Sequence, residues 1–408
     1  MPGRVYHRER YLAKVRPFYK SDLIKVITGI RRCGKSFLML SVIEELKATG
    51  IAAKDIIYLN LDKRGYRSVK TPERLESEIE SRIKDGDFKY ILIDEIQNVK
   101  GFEEVINAFK EDGNCSIFIT GSNSYLLSGE LVTKLTGRYI EIDLFTLSFS
   151  EYLGMKAFLG KATGDSTWEF TEYLTYGGFP QSLEFDDPQA KATYLDNVMR
   201  QIFDKDIKGR RKIRRRDVFD RVMAYVINNF GAPTNLTNIA TYFQNVERIP
   251  IKRETLASYL QLLENAKVIY KCPRFDMKSR KSLRSEEKYY LADLGIYFAR
   301  NTDTRINYGP ALENLLFVHL KSLGYTVSVG RIGKLECDFI ARRQESYAYV
   351  QASMTIAEKS VEDREYRPFS LIRDNYPQYL FTLDPLLQKR DGVRHLNLLT
   401  FLAEDKDL

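Results

Sequence analysis

The residues best suited to chemistry are Gly29-Ile30-Arg31-Arg32-Cys33-Gly34-Lys35-Ser36. Gly-x4-Gly-Lys-Ser is a phosphate-binding pattern when a strand precedes it and a helix follows. Glycines let the backbone curl until its N–H groups converge on a phosphate, at a helix N-terminus that already favours anions. Lys35 would reach the β- and γ-phosphates as a point charge. Ser36, followed by Phe37, would offer its hydroxyl to Mg²⁺. Cys33 lies inside the loop, which predicts that a bulky group on its thiol blocks ATP. The alternative is an ordinary glycine-containing turn. A second pattern is Tyr90-Ile91-Leu92-Ile93 running into Asp94-Glu95. Acids at the end of a buried strand can serve a nucleotide: Asp94 would hold Mg²⁺, directly or through water. Glu95 would polarise the attacking water as general base. Apolar runs ending in acids are common, so the second pattern draws its meaning from the first.

The elements around these residues alternate. Apolar runs at Leu23–Ile27, Ile56–Leu61, Tyr90–Ile93, Ser116–Ile119 and Ile140–Leu144 read as strands, with helix-favouring stretches between them. That order describes a parallel α/β domain, whose ligands bind at the carboxyl ends of the strands. Residues 1–22 read as a basic, aromatic helical lead-in, with Tyr11–Val15 able to pack beside the nucleotide. The fourth strand runs into Thr120-Gly121-Ser122-Asn123-Ser124, where Ser122 would meet the γ-phosphate or the water, or would only cap the next helix. Arg138 lies just before the fifth strand. It could project from one subunit to a neighbour's γ-phosphate, making a homo-oligomer the active form, or be a surface arginine, or one paired with Glu141.

Length and composition bound the rest. A chain of 408 residues exceeds one typical core, and 44% hydrophobic with 29% charged residues is ordinary for a soluble globular protein. No stretch approaches the ~18 uncharged apolar residues of a membrane span, so no membrane partner is expected. The opening residues lack an apolar signal core, and four cysteines stand without paired spacing beside only three histidines. A cytoplasmic location without a zinc module is expected. The net charge of +8 permits nucleic acid as a partner without requiring it.

Beyond residue 150 the signals change. Tyr176-Gly177-Gly178-Phe179-Pro180 sits in a helical region and reads first as a helix stop. Lys208 to Arg216 is almost wholly basic, a solvated face or a phosphate-binding patch. Three helical patterns follow, at Val218–Phe230, Leu236–Phe243 and Lys252–Glu264. Then come strand-like runs at Val268–Tyr270 and Lys288–Leu291, joined by the basic loop Lys278–Arg284. This describes a winged helix that either reads DNA or only packs domains. Arg214, Arg215, Arg216, Lys252 and Arg253 are the candidate DNA contacts.

In content and order, the Gly29–Ser36 loop, Ile93-Asp94-Glu95, Ile119–Ser124 and Leu135–Tyr139 resemble a family of prokaryotic AAA-type P-loop ATPases. The first two stand as its Walker A and Walker B motifs, and Leu144–Tyr152 resembles the run after that family's last strand. The resemblance implies ATP and Mg²⁺ as cofactors. It also implies a C-terminal domain of unknown function with a restriction-endonuclease-like core. Related signalling NTPases pack a Gly-x-Pro proline on adenine, which assigns Pro180 to that role. Glu313 on a helix, Asp338 on a strand and the run Tyr347–Ser353 resemble the nuclease site. Gln351 and Ser353 stand where active members carry an acid and a lysine, so the fold is expected without cleavage.

The expected organisation is an ATPase domain at 1–150, a helical lid at 151–207, a winged helix at 208–295 and a nuclease-like α/β domain at 296–408. The expected activity is slow or assembly-dependent ATP hydrolysis by a protein acting with DNA. A signalling ATPase whose C-terminal domains bind a protein partner is the alternative, and an ATP-controlled nuclease the third reading.

Overall fold

A computed structural model describes residues 5–83, 88–121, 137–208, 213–277, 281–301, 307–332 and 335–408, with the side chains of 281–286 excepted. It divides into two compact units, Met1–Leu144 and Phe145–Leu408.

The first unit is built on five strands: β1 (Ile24–Thr28), β2 (Ile56–Asn60), β3 (Lys89–Asp94), β4 (Cys115–Thr120) and β5 (Tyr139–Asp143). All pair in parallel, in the order β2-β3-β4-β1-β5. This is the P-loop NTPase fold. β1, Ile-Lys-Val-Ile-Thr, and β3, Lys-Tyr-Ile-Leu-Ile-Asp, are buried along their whole length. Runs rich in branched residues and apolar on both faces belong in a sheet covered by helices on both sides. Ile24, Val26, Ile91 and Ile93 share one core with Leu75 and Ile79 of helix Pro72–Glu80 and with Val105 and Ile106 of helix Phe102–Glu111. Tyr11, Leu12 and Val15 of the short helix Glu9–Val15 are buried as well, so that segment is part of the core.

The second unit begins with a properly capped helix. Ser148 accepts from the Glu151 N–H while Glu151 returns a bond to the Ser148 N–H, which fixes the start of Phe149–Phe158. Helices Ser166–Tyr176 and Pro188–Gln201 follow, then Arg216–Asn228, Leu236–Asn245 and Arg253–Asn265. Asn235 caps the Leu236 helix by accepting from the Asn238 N–H at 2.8 Å. The hairpin is longer than the sequence suggested. Its strands β7 (Ile269–Asp276) and β8 (Lys281–Leu291) take in part of the expected basic loop, and β8 pairs with the two residues of β6 (Pro233–Thr234).

The remaining strands are β9 (Thr326–Ile332), β10 (Leu335–Arg343), β11 (Ser346–Ala352), β12 (Gln378–Thr382), β13 (Lys389–Arg390) and β14 (Val393–Asn397). They join the hairpin in one nine-stranded sheet, in the order β13-β14-β12-β11-β10-β9-β7-β8-β6. The seam is the parallel pair β7–β9, from Arg274 opposite Val329 to Asp276 opposite Arg331. The sheet therefore runs unbroken across the expected boundary at 295/296. Helix Tyr308–Ser322 packs on it and is tied to β8 by Asn314. The buried Asn314 amide accepts from the Leu291 N–H at 2.7 Å and donates to the Leu291 carbonyl at 3.0 Å.

Candidate functional site

β1 ends at Thr28, and the chain must turn at once into helix Lys35–Ala48. Gly29 has φ +149°, and a Cβ there would lie 2.2 Å from the Leu144 carbonyl oxygen and 2.7 Å from the Cys33 Sγ. Gly34, at the helix N-cap, has φ +104°, and Arg32 has φ +69°. Both glycines are therefore required by the turn, whatever it binds. The loop wraps its own lysine: the buried Lys35 ammonium donates to the carbonyls of Gly29 at 3.0 Å and Ile30 at 3.3 Å. Ser36 and Arg31 are half-buried, Arg32 and Phe37 are exposed, and Ile30 is buried.

Cys33 is fully buried. A bulky thiol reagent would have to open the loop to reach it. Arg8, also buried, donates to the Cys33 carbonyl at 3.2 Å and lies over the Tyr11 ring at 4.5 Å. The lead-in helix thus braces the loop from behind, a role that nothing local to Arg8 announces.

Strand register brings the acids to the same edge. β4 lies between β1 and β3, with Thr120 opposite Ile27 and Ile119 opposite Ile93. Two strand spacings of about 4.8 Å separate the β1 and β3 ends, the span of a phosphate with its cation. Asp94 is the last residue of β3 and is fully buried. Its Oδ1 accepts from the Thr120 hydroxyl, and its Oδ2 accepts from the Asn60 amide at 2.9 Å and the Tyr58 hydroxyl at 3.3 Å. Burial first, then the charge of Asp94, pushes the Tyr58 hydroxyl up to about 12, so it stays a donor. The next residue, Glu95, turns the chain with φ +59°. Its N–H donates to the same Thr120 hydroxyl at 3.1 Å, and its carboxylate accepts from the Gln97 amide. Thr120 holds both acids at once.

The residues present fit a nucleotide phosphate and its metal. Among the described residues no three His, Cys, Asp or Glu side chains could hold an ion by themselves. A hard cation such as Mg²⁺ satisfies its octahedron with phosphate and water beside one or two protein oxygens, which Ser36 and Asp94 can supply.

The other expected residues lie elsewhere. Ser122, with Asn123, Ser124, Leu135 and Thr136, falls outside the described residues. Arg138 stands at the N-terminal end of β5, about five strand residues or 16 Å from the loop edge, and so cannot serve its own chain's phosphate. It pairs with Glu111 at 3.0 Å. Glu141 instead accepts the Thr28 hydroxyl at 2.7 Å. Pro180 opens the 3-10 turn Pro180–Glu184 after helix Ser166–Tyr176. The glycines before it have a tertiary reason. Fully buried Asp293 accepts the Gly178 N–H and the Gly295 N–H, each at 2.8 Å, and a Cβ on Gly177 would sit 1.7 Å from its Oδ1. Burial pushes the Asp293 carboxyl up to about 6, against hydrogen bonds from Thr146, Gly178 and Gly295 that favour its charged form. Arg214, Arg215, Arg216, Lys252 and Arg253 are exposed. The first three flank the start of helix Arg216–Asn228, and Arg253 begins its own helix.

In the nine-stranded sheet, Glu313 and Asp338 are brought into one cluster, with Gln351 and Ser353 on or beside β11. Asp338 accepts the Ala352 N–H at 2.8 Å, and Gln351 accepts the Asp338 N–H at 2.6 Å while donating to Glu365 at 2.9 Å. The Lys288 ammonium bridges Glu313 at 3.2 Å and Glu336 at 2.9 Å. Burial, then the Glu313 charge, holds the Asp338 carboxyl well above the usual carboxylate range. Lys288 and Glu336 on paired strands, and Glu365 on helix Lys359–Ser370, are brought to the cluster only by the fold.

Among known proteins, an AAA domain family matches residues 21–153, and a domain of unknown function, DUF8612, matches residues 167–305. An uncharacterized protein of Haemophilus influenzae is 36% identical over 406 residues, covering 99% of this chain and 100% of the relative. An uncharacterized protein of Methanocaldococcus jannaschii is 28% identical over 312 residues, covering 74% of this chain and 67% of its own length. A Walker-type ATPase of Pyrococcus abyssi superposes with a TM-score of 0.52 at 16% identity, covering 72% of this chain and 96% of its own. That likeness shows a shared fold. Among the described residues no helix is long and apolar enough to cross a membrane.

Proposed function

The chain belongs to the same family as the Haemophilus influenzae protein, and we propose that it is a Mg²⁺-dependent ATPase of the AAA type. The observation that carries this reading is the register that sets the Lys35 loop, Thr120 and the buried Asp94 side by side at the carboxyl edge of one parallel sheet. The reaction is in-line attack of water on the γ-phosphate. Backbone N–H groups of Ile30 to Phe37 cradle the phosphates, and Lys35 leaves its loop carbonyls to pair with their charge. Ser36 and Asp94 would hold the metal. Two donors occupy Oδ2 of Asp94 and one occupies Oδ1, so Oδ1 keeps a lone pair that could accept from a metal-bound water. Mg²⁺ held there would supply charge neutralisation to the phosphates. Glu95, steadied by Gln97 and Thr120, orients the attacking water.

Arg138 would complete a neighbour's site, so turnover per subunit should rise with protein concentration. We assign Pro180 to the adenine and Ser122 to the γ-phosphate or water. DNA is the partner that the exposed arginines at 214–216, with Lys252 and Arg253, favour. ATP binding measured by calorimetry tests the core of the proposal. Lys35→Ala should abolish it, and wild-type protein that fails to bind ATP with Mg²⁺ would overturn it. For DNA, affinity should fall steeply with salt and weaken when residues 214–216 are neutralised. No binding at low salt would remove that part.

A further inference from the structure

We infer that Lys288 stands in the place of a metal ion in the C-terminal carboxylate cluster, neutralising it from within and turning it into a joint between the β7–β8 hairpin and helix Tyr308–Ser322. A hydrolytic site of this kind needs converging oxygens around a cation with open positions. The donor set here does not provide them. The Lys288 ammonium, itself buried, lies 3.2 Å from Glu313 and 2.9 Å from Glu336, with Arg274 closing on Glu336 at 3.6 Å.

Asp338 is spoken for by the Ala352 N–H, and Gln351 fills the place of an acid while tying Glu365 away. Among the described residues no three acids, histidines or cysteines could share a metal. A buried ammonium would be costly to keep unpaired, and the two half-buried acids on either side of Lys288, with the Arg274 guanidinium beyond, supply the balance.

The amine's origin gives the cluster its second role. Lys288 lies on β8, beside Tyr290, whose hydroxyl donates to Glu313 at 2.9 Å, and Leu291, whose backbone is held at both ends by Asn314. Three neighbouring residues of one strand therefore bind two neighbouring residues of one helix. A metal ion could have balanced the acids, but only a side chain can also fasten the hairpin that carries it.

The test uses the full chain in a Lys35→Ala background without nucleotide, so that the phosphate site does not report on metal. Thermal melting with and without Mn²⁺ or Mg²⁺ should give the same midpoint for the unsubstituted cluster; stabilisation by either ion would overturn the inference. Lys288→Met should lower the midpoint by about 10 °C. Adding Glu313→Gln should restore part of that loss, and Lys288→Arg should lose less than Lys288→Met. An unchanged midpoint in Lys288→Met would overturn the joint. Should Lys288→Met not fold, the double variant decides: recovery of folded protein supports the inference and its absence defeats it.

Discussion

Two aspartates, Asp94 at the end of β3 and Asp338 at an irregularity within β10, show how one residue type serves opposite ends. Asp94 is surrounded by neutral donors, Thr120, Asn60 and Tyr58, which steady a negative charge without cancelling it. Asp338 lies close to the charge of Glu313, with the Lys288 ammonium nearby, and its acidity is suppressed. A carboxylate held by neutral dipoles keeps its charge for a cation. One crowded by another acid in low dielectric is pushed towards its protonated form.

The largest effect that would break this comparison is at Glu95. Glu95→Gln should retain ATP and lower turnover about 10²–10⁴-fold, measured as binding against steady-state hydrolysis. Normal turnover would remove Glu95 from the reaction. Asp94→Asn should abolish Mg²⁺-dependent turnover and cost about 1–3 kcal/mol, because an amide nitrogen would replace one oxygen and face the donors now bound to it. Asp338→Asn should leave ATP turnover unchanged and cost less stability than Asp94→Asn, since burial and the Glu313 charge already disfavour its ionised form. Equal effects of the two substitutions would erase the contrast.

Asp293 sharpens it on the pH axis. Its carboxyl titrates at about 6 when folded, above the ordinary 3.8, so the folded protein binds more protons between those values. That contribution is present at low pH and is lost as pH rises through about 6. Denaturant melts of Asp293→Asn and wild type should diverge across pH 4–6, with the variant gaining relative stability by up to about 3 kcal/mol. Parallel curves would count against the buried acid. The smallest effect is expected at Ser148→Ala, which loses one half of the capping box and about 1 kcal/mol without altering ATP affinity.

The five strands and the phosphate loop were legible because their causes are local. Branched apolar runs form buried strands wherever they fall, and Gly29 and Gly34 meet a turn that no other residue makes easily. Asp94-Glu95 was legible by position, at the end of such a run. The hairpin was read too short, since the polar residues of Lys281–Glu287 hide a strand that exists by pairing. The Gly177-Gly178 pair was read as a helix stop, and it is one. Its closer cause is Asp293, 115 residues away from Gly178.

By itself, the sequence determined what each strand end carries: a curled loop with Lys35 and Ser36, and acids at 94 and 95. Side-chain type and near-neighbour spacing suffice for that. Tertiary structure decided which ends meet. Register placed Thr120, Asn60 and Tyr58 on Asp94, put Arg138 at the far end of its sheet, and sent Lys288 from a hairpin into an acid cluster. The physical reason is that a carboxylate's role follows from its partners. In a folded sheet those partners come from strands that the chain reaches only after tens of residues.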